Sequence, residues 1–124
     1  VSAAASLTSN LLFANRYVPL ILQALLGGID STGSHIFALD PLGSVTEEKC
    51  VSTGSGSPVA YGVLENEFKD GMAVEEAVPG VVKAVNSAMK RDSASGDSFD
   101  VSIIDKKGYR ELNEKEKRNV LAAS

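Results

Sequence analysis

The chain has 124 residues, 44% hydrophobic and 23% charged, which fits one soluble globular domain or a piece of a larger one. Its formal charge of −4 and its scattered basic residues exclude an electrostatic hold on nucleic acid. One cysteine, Cys50, excludes an internal disulfide and suits a reducing cytoplasm, and one histidine, His35, excludes any metal-ligand spacing.

Ala4, Leu7, Leu11 and Ala14 recur at helical spacing and predict a first helix with one apolar face, opened by Ser2 as its cap. The chain starts at Val1 inside this pattern, with no initiator methionine and no signal peptide, so we read it as a truncated piece. The helix is expected to stop before Pro19. The apolar run 18–26 is interrupted by Pro19 and Gln23 and falls far short of the roughly 20 residues that cross a bilayer, so no membrane partner is expected. Its 20–26 part reads as a strand covered on both faces and ended by Gly27-Gly28. The cluster 30–34 is a turn, 35–40 the hairpin partner, and Pro41-Leu42-Gly43 a second turn. Short strands at 45–47 and 50–53 complete an expected four-stranded antiparallel meander. Cys50 reads there as a small buried filler.

Helices then return. Ser57 as N-cap and Pro58 at the first helical position predict a helix that buries Tyr61, Leu64 and Phe68 and ends at Lys69-Asp70-Gly71. Val74, Val78, Val81, Val85 and Ala88 predict another. Pro79 lies inside it and has no N–H for the carbonyl of Glu75, so that helix is expected to kink or to begin late. Phe99, Val101 and Ile103 alternate with Asp100 and Ser102 as a half-exposed strand. Lys106-Lys107-Gly108 turns into a last strand at 109–112, and Asn113 with Glu116 forms a capping box for a final helix. Helices that must cover apolar sheet faces give an α+β layered sandwich.

Two stretches carry candidate chemistry. Thr53-Gly54-Ser55-Gly56-Ser57-Pro58, between a strand and a helix start, can present backbone N–H groups to an anion. A dinucleotide fingerprint would need glycine or alanine where Val59 stands, and a phosphate loop would need a lysine that is absent. On its own the stretch reads as a tight strand-to-helix turn. The second is Lys90-Arg91-Asp92-Ser93-Ala94-Ser95-Gly96. Asp92 falls at a helix C-terminus, where the macrodipole disfavours a carboxylate. A residue that breaks a local rule is a candidate for function, and a surface aspartate paired with Arg91 is the plainer reading.

Together with Gly-Gly-Ile-Asp at 27–30, Asp-Pro-Leu-Gly at 40–43, Ala-Tyr-Gly-Val-Leu-Glu at 60–65 and Gly-Tyr-Arg-Glu-Leu at 108–112, these stretches resemble proteasome beta subunits of the archaeal type. The resemblance runs from Val1 to near Leu121. It implies part of an N-terminal-nucleophile hydrolase αββα sandwich, with residues 1–124 as the C-terminal portion of a single beta-subunit domain. It also implies a cytoplasmic threonine endopeptidase that degrades unfolded polypeptide. Such a subunit works in heptameric rings with proteasome alpha subunits and other beta subunits, and needs no cofactor. The family's nucleophile is an N-terminal threonine, which together with its lysine, its supporting aspartate and its oxyanion glycine comes from an earlier part of the family chain. Ser55, Asp92 and Ser95 match the residues that surround the threonine's amine, as supporting groups, and are expected to converge. Asp40 matches a position that reaches the neighbouring subunit's substrate groove; an ordinary turn aspartate is the alternative. His35 reads as a strand residue facing solvent or a neighbour. Ala73, where the family commonly has Ser or Thr, and Pro79-Gly80 depart from the pattern. The piece alone is expected to be inactive. The competing readings are a non-catalytic structural beta-type ring subunit and a small anion-binding module at 54–57.

Overall fold

The computed structural model describes residues 1–17 and 23–123. They form two compact units, residues 1–53 and residues 54–124.

In residues 1–53, helix α1 (Ser2–Ala14) packs on an antiparallel sheet of three strands in the order β1 (Ala24–Asp30), β2 (Gly33–Leu39), β3 (Val45–Glu48). The helix forms where its spacing predicts but buries another face. Ala5 and Leu12 are buried, with Thr8 and Ser9 half-buried between them, while Leu7 and Leu11 are 64% and 58% exposed. Small and hydroxylated side chains on the buried face permit close approach, and the Ser9 hydroxyl donates to the Gly43 carbonyl in the turn before β3. Ser2 is the first helical residue and Val1 the N-cap position, without a side-chain cap bond.

Residues 20–22 of the first predicted strand lie outside the described residues. The described strand runs on through Gly27-Gly28 because its pairing with β2 is continuous from Ala24↔Leu39 to Asp30↔Gly33. It is not covered on both faces, since Leu25 is 42% exposed. Pairing at both Asp30 and Gly33 shortens the turn to Ser31-Thr32. The strand expected at 50–53 is absent: β3 ends at Glu48 and the chain bends at Lys49 and Cys50.

In residues 54–124, helices α2 (Ser57–Glu67) and α3 (Val74–Arg91) pack together, followed by a 3₁₀ turn (Ser93–Ser95), the hairpin β4 (Ser102–Asp105) and β5 (Gly108–Glu111), and helix α4 (Glu114–Ala123). Ser57 is not the cap of α2. Gly56 is, and Pro58 stands one residue later than expected. The buried positions of α2 are Ala60 and Leu64, whereas Phe68, past its end, is exposed.

Helix α3 is one 18-residue helix that starts at Val74, so it does not begin late. Ala73 supplies only its carbonyl, which accepts from Glu76 N–H at 3.1 Å and Ala77 N–H at 3.0 Å. Its buried residues fall on two faces, which a single predicted stripe through Val81 does not anticipate; Val81 is exposed. Val82, fully buried, joins Val101, Ile103 and Leu112 in a core flanked by Val74, Val78, Phe99, Val120 and Leu121. Gly80, Ala84 and Ala88, four residues apart, make a second face of small residues. A Cβ on Gly80 would lie 3.0 Å from Glu67 Cβ, so this glycine lets the start of α3 lie against the end of α2.

The strand expected from Phe99 begins at Ser102, although Val101 still bonds Leu112 N–H through its carbonyl at 2.9 Å. The capping box forms as predicted: Glu116 N–H donates to Asn113 Oδ1 at 2.9 Å, and Asn113 N–H to Glu116 Oε2 at 2.8 Å. Lys117 is buried, with Nζ 2.6 Å from Glu114 Oε1 and donating to the Phe99 carbonyl at 2.9 Å. No described helix is long and apolar enough to cross a membrane.

Candidate functional site

Gly56 at the start of α2 lies beside Ala88 near the end of α3, and Glu67 at the end of α2 lies beside Gly80. The two helices are therefore antiparallel neighbours, and the segments outside their open end, Gly54-Ser55 and Asp92 to Ser95, meet.

Gly54 makes the turn with a φ of +99°, a left-handed value that favours glycine, and its carbonyl accepts from Ser57 N–H at 3.1 Å. Ser55 lies inside this turn. Asp92 closes α3: its N–H donates to the Ala88 carbonyl at 2.8 Å, while its φ and ψ of −114° and 114° lead the chain out of the helix. It also opens the 3₁₀ turn, its carbonyl accepting from Ser95 N–H at 3.1 Å. Ser55 Oγ–H donates to Asp92 Oδ2 at 2.5 Å, and Ser95 Oγ–H to the same oxygen at 2.6 Å. Ala94 N–H points to Oδ1 at 3.5 Å. Ser55, Asp92 and Ser95 thus form one cluster.

These hydrogen bonds, that from Ser55 first and that from Ser95 next, hold the Asp92 carboxyl below the usual carboxylate range. Its place at the C-terminus of α3 is offset by the opposite pole of α2, since Oδ2 is 3.4 Å from where a Gly56 Cβ would stand. Asp92 is not paired with Arg91. Among the described residues its donors are two hydroxyls and one N–H, all neutral, and no cation lies within ion-pair distance. A half-buried carboxylate that is ionised, held by neutral donors and lacking a counter-charge is an acceptor for a small cationic group.

Asp40 belongs to residues 1–53 and holds its own turn, its Oδ1 accepting from Leu42 N–H at 2.9 Å and Ser44 N–H at 3.0 Å. Those bonds, chiefly the one from Ser44, lower its pKa. Cys50 is half-buried, and burial pushes its thiol pKa up, away from a reactive thiolate.

His35 is more engaged than a strand residue facing solvent. Its Nδ1 is 2.6 Å from Glu47 Oε1 across to β3, and its Nε2 is 2.6 Å from Thr32 Oγ1 and 3.4 Å from Asp30 Oδ1. The bond to Glu47 is the largest cause of its raised pKa, while the Thr32 hydroxyl and N–H hold Asp30 far below the usual range. The signal for this cluster was available, since a two-residue turn puts Asp30 and His35 near one hairpin end. The other residue missed is Gly56, whose role depends on what stands beside it. Among the described residues no group of His, Cys, Asp and Glu could hold a metal ion.

The proteasome subunit family matches residues 1–104. The chain is similar to the proteasome subunit beta of Ferroglobus placidus, 51% identical over 122 residues, which covers 98% of this chain and 58% of the relative. It is similar to that of Archaeoglobus fulgidus, 51% identical over 123 residues, covering 98% of this chain and 58% of the relative. For that of Methanothermobacter thermautotrophicus the identity is 48% over 117 residues, covering 94% and 56%. The chain spans just over half the length of these curated relatives. Its helices and sheets make it α+β, consistent with an N-terminal-nucleophile hydrolase fold of which it covers about half.

Proposed function

The chain belongs to the proteasome subunit family, and on that premise we propose that residues 1–124 are the C-terminal portion of one beta-subunit domain of a threonine endopeptidase. The subunit works in the cytoplasm, in heptameric rings of beta subunits stacked with alpha subunits, and degrades unfolded polypeptide. Its nucleophile, an N-terminal threonine, comes from outside these 124 residues. Ser55, Asp92 and Ser95 receive that threonine's amine. The neutral amine takes the proton of the threonine hydroxyl and later returns it; Asp92 stabilises the ammonium formed in between, and the two hydroxyls fix the carboxylate while their lone pairs accept from the amine. Asp40 reaches the substrate groove of the neighbouring subunit with whatever acceptor capacity its turn leaves free.

The observation that carries this reading is the pairing of Asp92 with neutral donors alone. A carboxylate serving only structure would do as well with Lys90 or Arg91 as partner; one serving an incoming amine must keep that place open.

The test is Asp92→Asn in the full-length, correctly assembled protein. Hydrolysis of fluorogenic peptides is expected to fall about 10²–10⁴-fold, the usual cost of lost acid–base assistance. Wild-type rates in the assembled variant would reduce Asp92 to a turn residue. An assembled wild-type ring without activity would favour the structural subunit instead. The 124-residue chain alone is expected to cleave nothing, and steady cleavage by it would place the nucleophile elsewhere.

A further inference from the structure

We infer that Gly56 is a positioning residue for the Asp92 carboxylate, acting through Ser95, and that it is glycine for space and not for backbone freedom. The inference that this affects hydrolysis rests on the function proposed above; the inference about position does not. The glycines on either side of Ser55 differ. Gly54 has a φ of +99°, which an L-residue rarely adopts. Gly56 has φ −83° and ψ 0°, open to any residue. It is also the N-cap of α2, a position where Ser, Asn and Asp are preferred over glycine by small margins. By local rules a serine belongs there, and an alanine, which ranks below glycine at an N-cap, would weaken the cap without straining the backbone.

Space decides otherwise. Gly56 is buried, and a Cβ on it would stand 2.5 Å from Ser95 Oγ, 3.0 Å from Ala88 Cβ and 3.4 Å from Asp92 Oδ2. The last is ordinary contact and the second tight. The first cannot persist, and the hydroxyl at the end of the Ser95 side chain is the atom free to move. Turning it away from the new methyl group takes its proton off Asp92 Oδ2, where it now donates at 2.6 Å. The carboxylate would then be held from its own loop by the long Ala94 N–H contact alone, with Ser55 as its remaining hydroxyl donor. Gly56 keeps the second hydroxyl in place by leaving it room.

The experiment uses the full-length assembled protein with Gly56→Ala, Ser95→Ala and the double variant. Each single change is expected to lower kcat by about tenfold to a hundredfold with KM little changed, as displacement of a positioned group does. Adding Gly56→Ala to Ser95→Ala should cost less than about threefold more, because the hydroxyl it displaces is already gone. Both single variants should move the acid limb of the pH–rate profile to higher pH, since a carboxylate that loses a donor is protonated more readily. Wild-type kcat in Gly56→Ala where Asp92→Asn is impaired, or single losses that multiply in the double variant, would overturn the inference. If Gly56→Ala fails to assemble, Ser95→Gly added to it should restore assembly; a failure that persists puts the clash at Ala88 and overturns the inference equally. The underlying reading fails in a different way. Should Asp92→Asn retain wild-type hydrolysis while a crystal structure of Gly56→Ala shows Ser95 Oγ more than about 3.5 Å from Asp92 Oδ2, the positional inference stands and the catalytic reading falls.

Discussion

Residues 1–53 and 54–124 leave different things exposed. In the first, His35 stands between Asp30 and Glu47, so both of these carboxylates have a partner. Its helix meanwhile turns Leu7, Leu11 and Phe13 to water at 64%, 58% and 54% exposure. In the second, Val82, Val101, Ile103 and Leu112 close over one another, with single apolar side chains such as Val81 and Ile104 exposed outside them, and Asp92 holds its charge without a counter-ion. An apolar face in water is a demand for area, met by any surface of suitable shape. An ionised carboxylate among neutral donors is a demand for one charge at one point, and so is far more selective about what completes it.

The largest effect expected from this contrast is catalytic. In the assembled full-length protein Asp92→Asn should cost about 10²–10⁴-fold in peptide hydrolysis, while His35→Gln stays within about threefold because none of its partners belongs to the Ser55, Asp92 and Ser95 cluster. Comparable losses from the two would erase the distinction between a site and a structural cluster. Next comes packing on α1. Leu12→Ala should destabilise by about 2–5 kcal/mol in urea unfolding, and Leu7→Ala by no more than about 0.5 kcal/mol. The exposed face should also bind a hydrophobic dye, and Leu7→Ser with Leu11→Ser should reduce that signal; an absence of dye binding would break the contrast on its apolar side.

The smallest effect is one of pH, and it has opposite signs in the two regions. His35 has its pKa raised above the ordinary 6.5, so the stability from its pairing is fully present below that value and is lost as the pH rises through the raised one. Asp92 is lowered from 3.8, so its contribution is present above that value and is lost only as the pH falls through the lowered one. Melting temperatures of wild type and His35→Gln should therefore differ most at mildly acidic pH and converge on the alkaline side. The Asp92→Asn gap should instead hold from neutrality down to about pH 4 and close below it.

What could be read in the sequence divides along the same physical lines. The capping box at Asn113 and Glu116 and the helical periods of α1 and α3 are written in residues a few positions apart, and they formed as expected. The turn in 30–34 is tighter than its cluster of turn residues implies, and α3 starts at Val74 in spite of Pro79. The spacing of Ala4, Leu7, Leu11 and Ala14 points to a face that α1 does not bury. The neighbouring strands instead accept Ala5, Ser9 and Leu12, whose small members let the helix come close. A single stripe through Val81 misses Val82, because α3 packs on two sides. Proximity of Ser55, Asp92 and Ser95 was expected from the resemblance and from the idea of antiparallel helices. Gly56 escaped because φ and capping rules concern one residue at a time, whereas its constraint comes from Ser95, far along the chain.

The same pair of helices bears on how the cluster is held together. Ser55 and Asp92 are 37 positions apart, and an unstructured loop of that length carries an appreciable closure entropy. Here α2, the connection 68–73 and α3 take up nearly all of that distance, so packing one helical hairpin brings its ends together with little left to close. Contacts whose ends a folded segment already brings together have little loop entropy left to lose. Asp92 and its two serines therefore act as a latch on the open end of one helical hairpin, holding α2 and α3 together where the chain enters and leaves the pair.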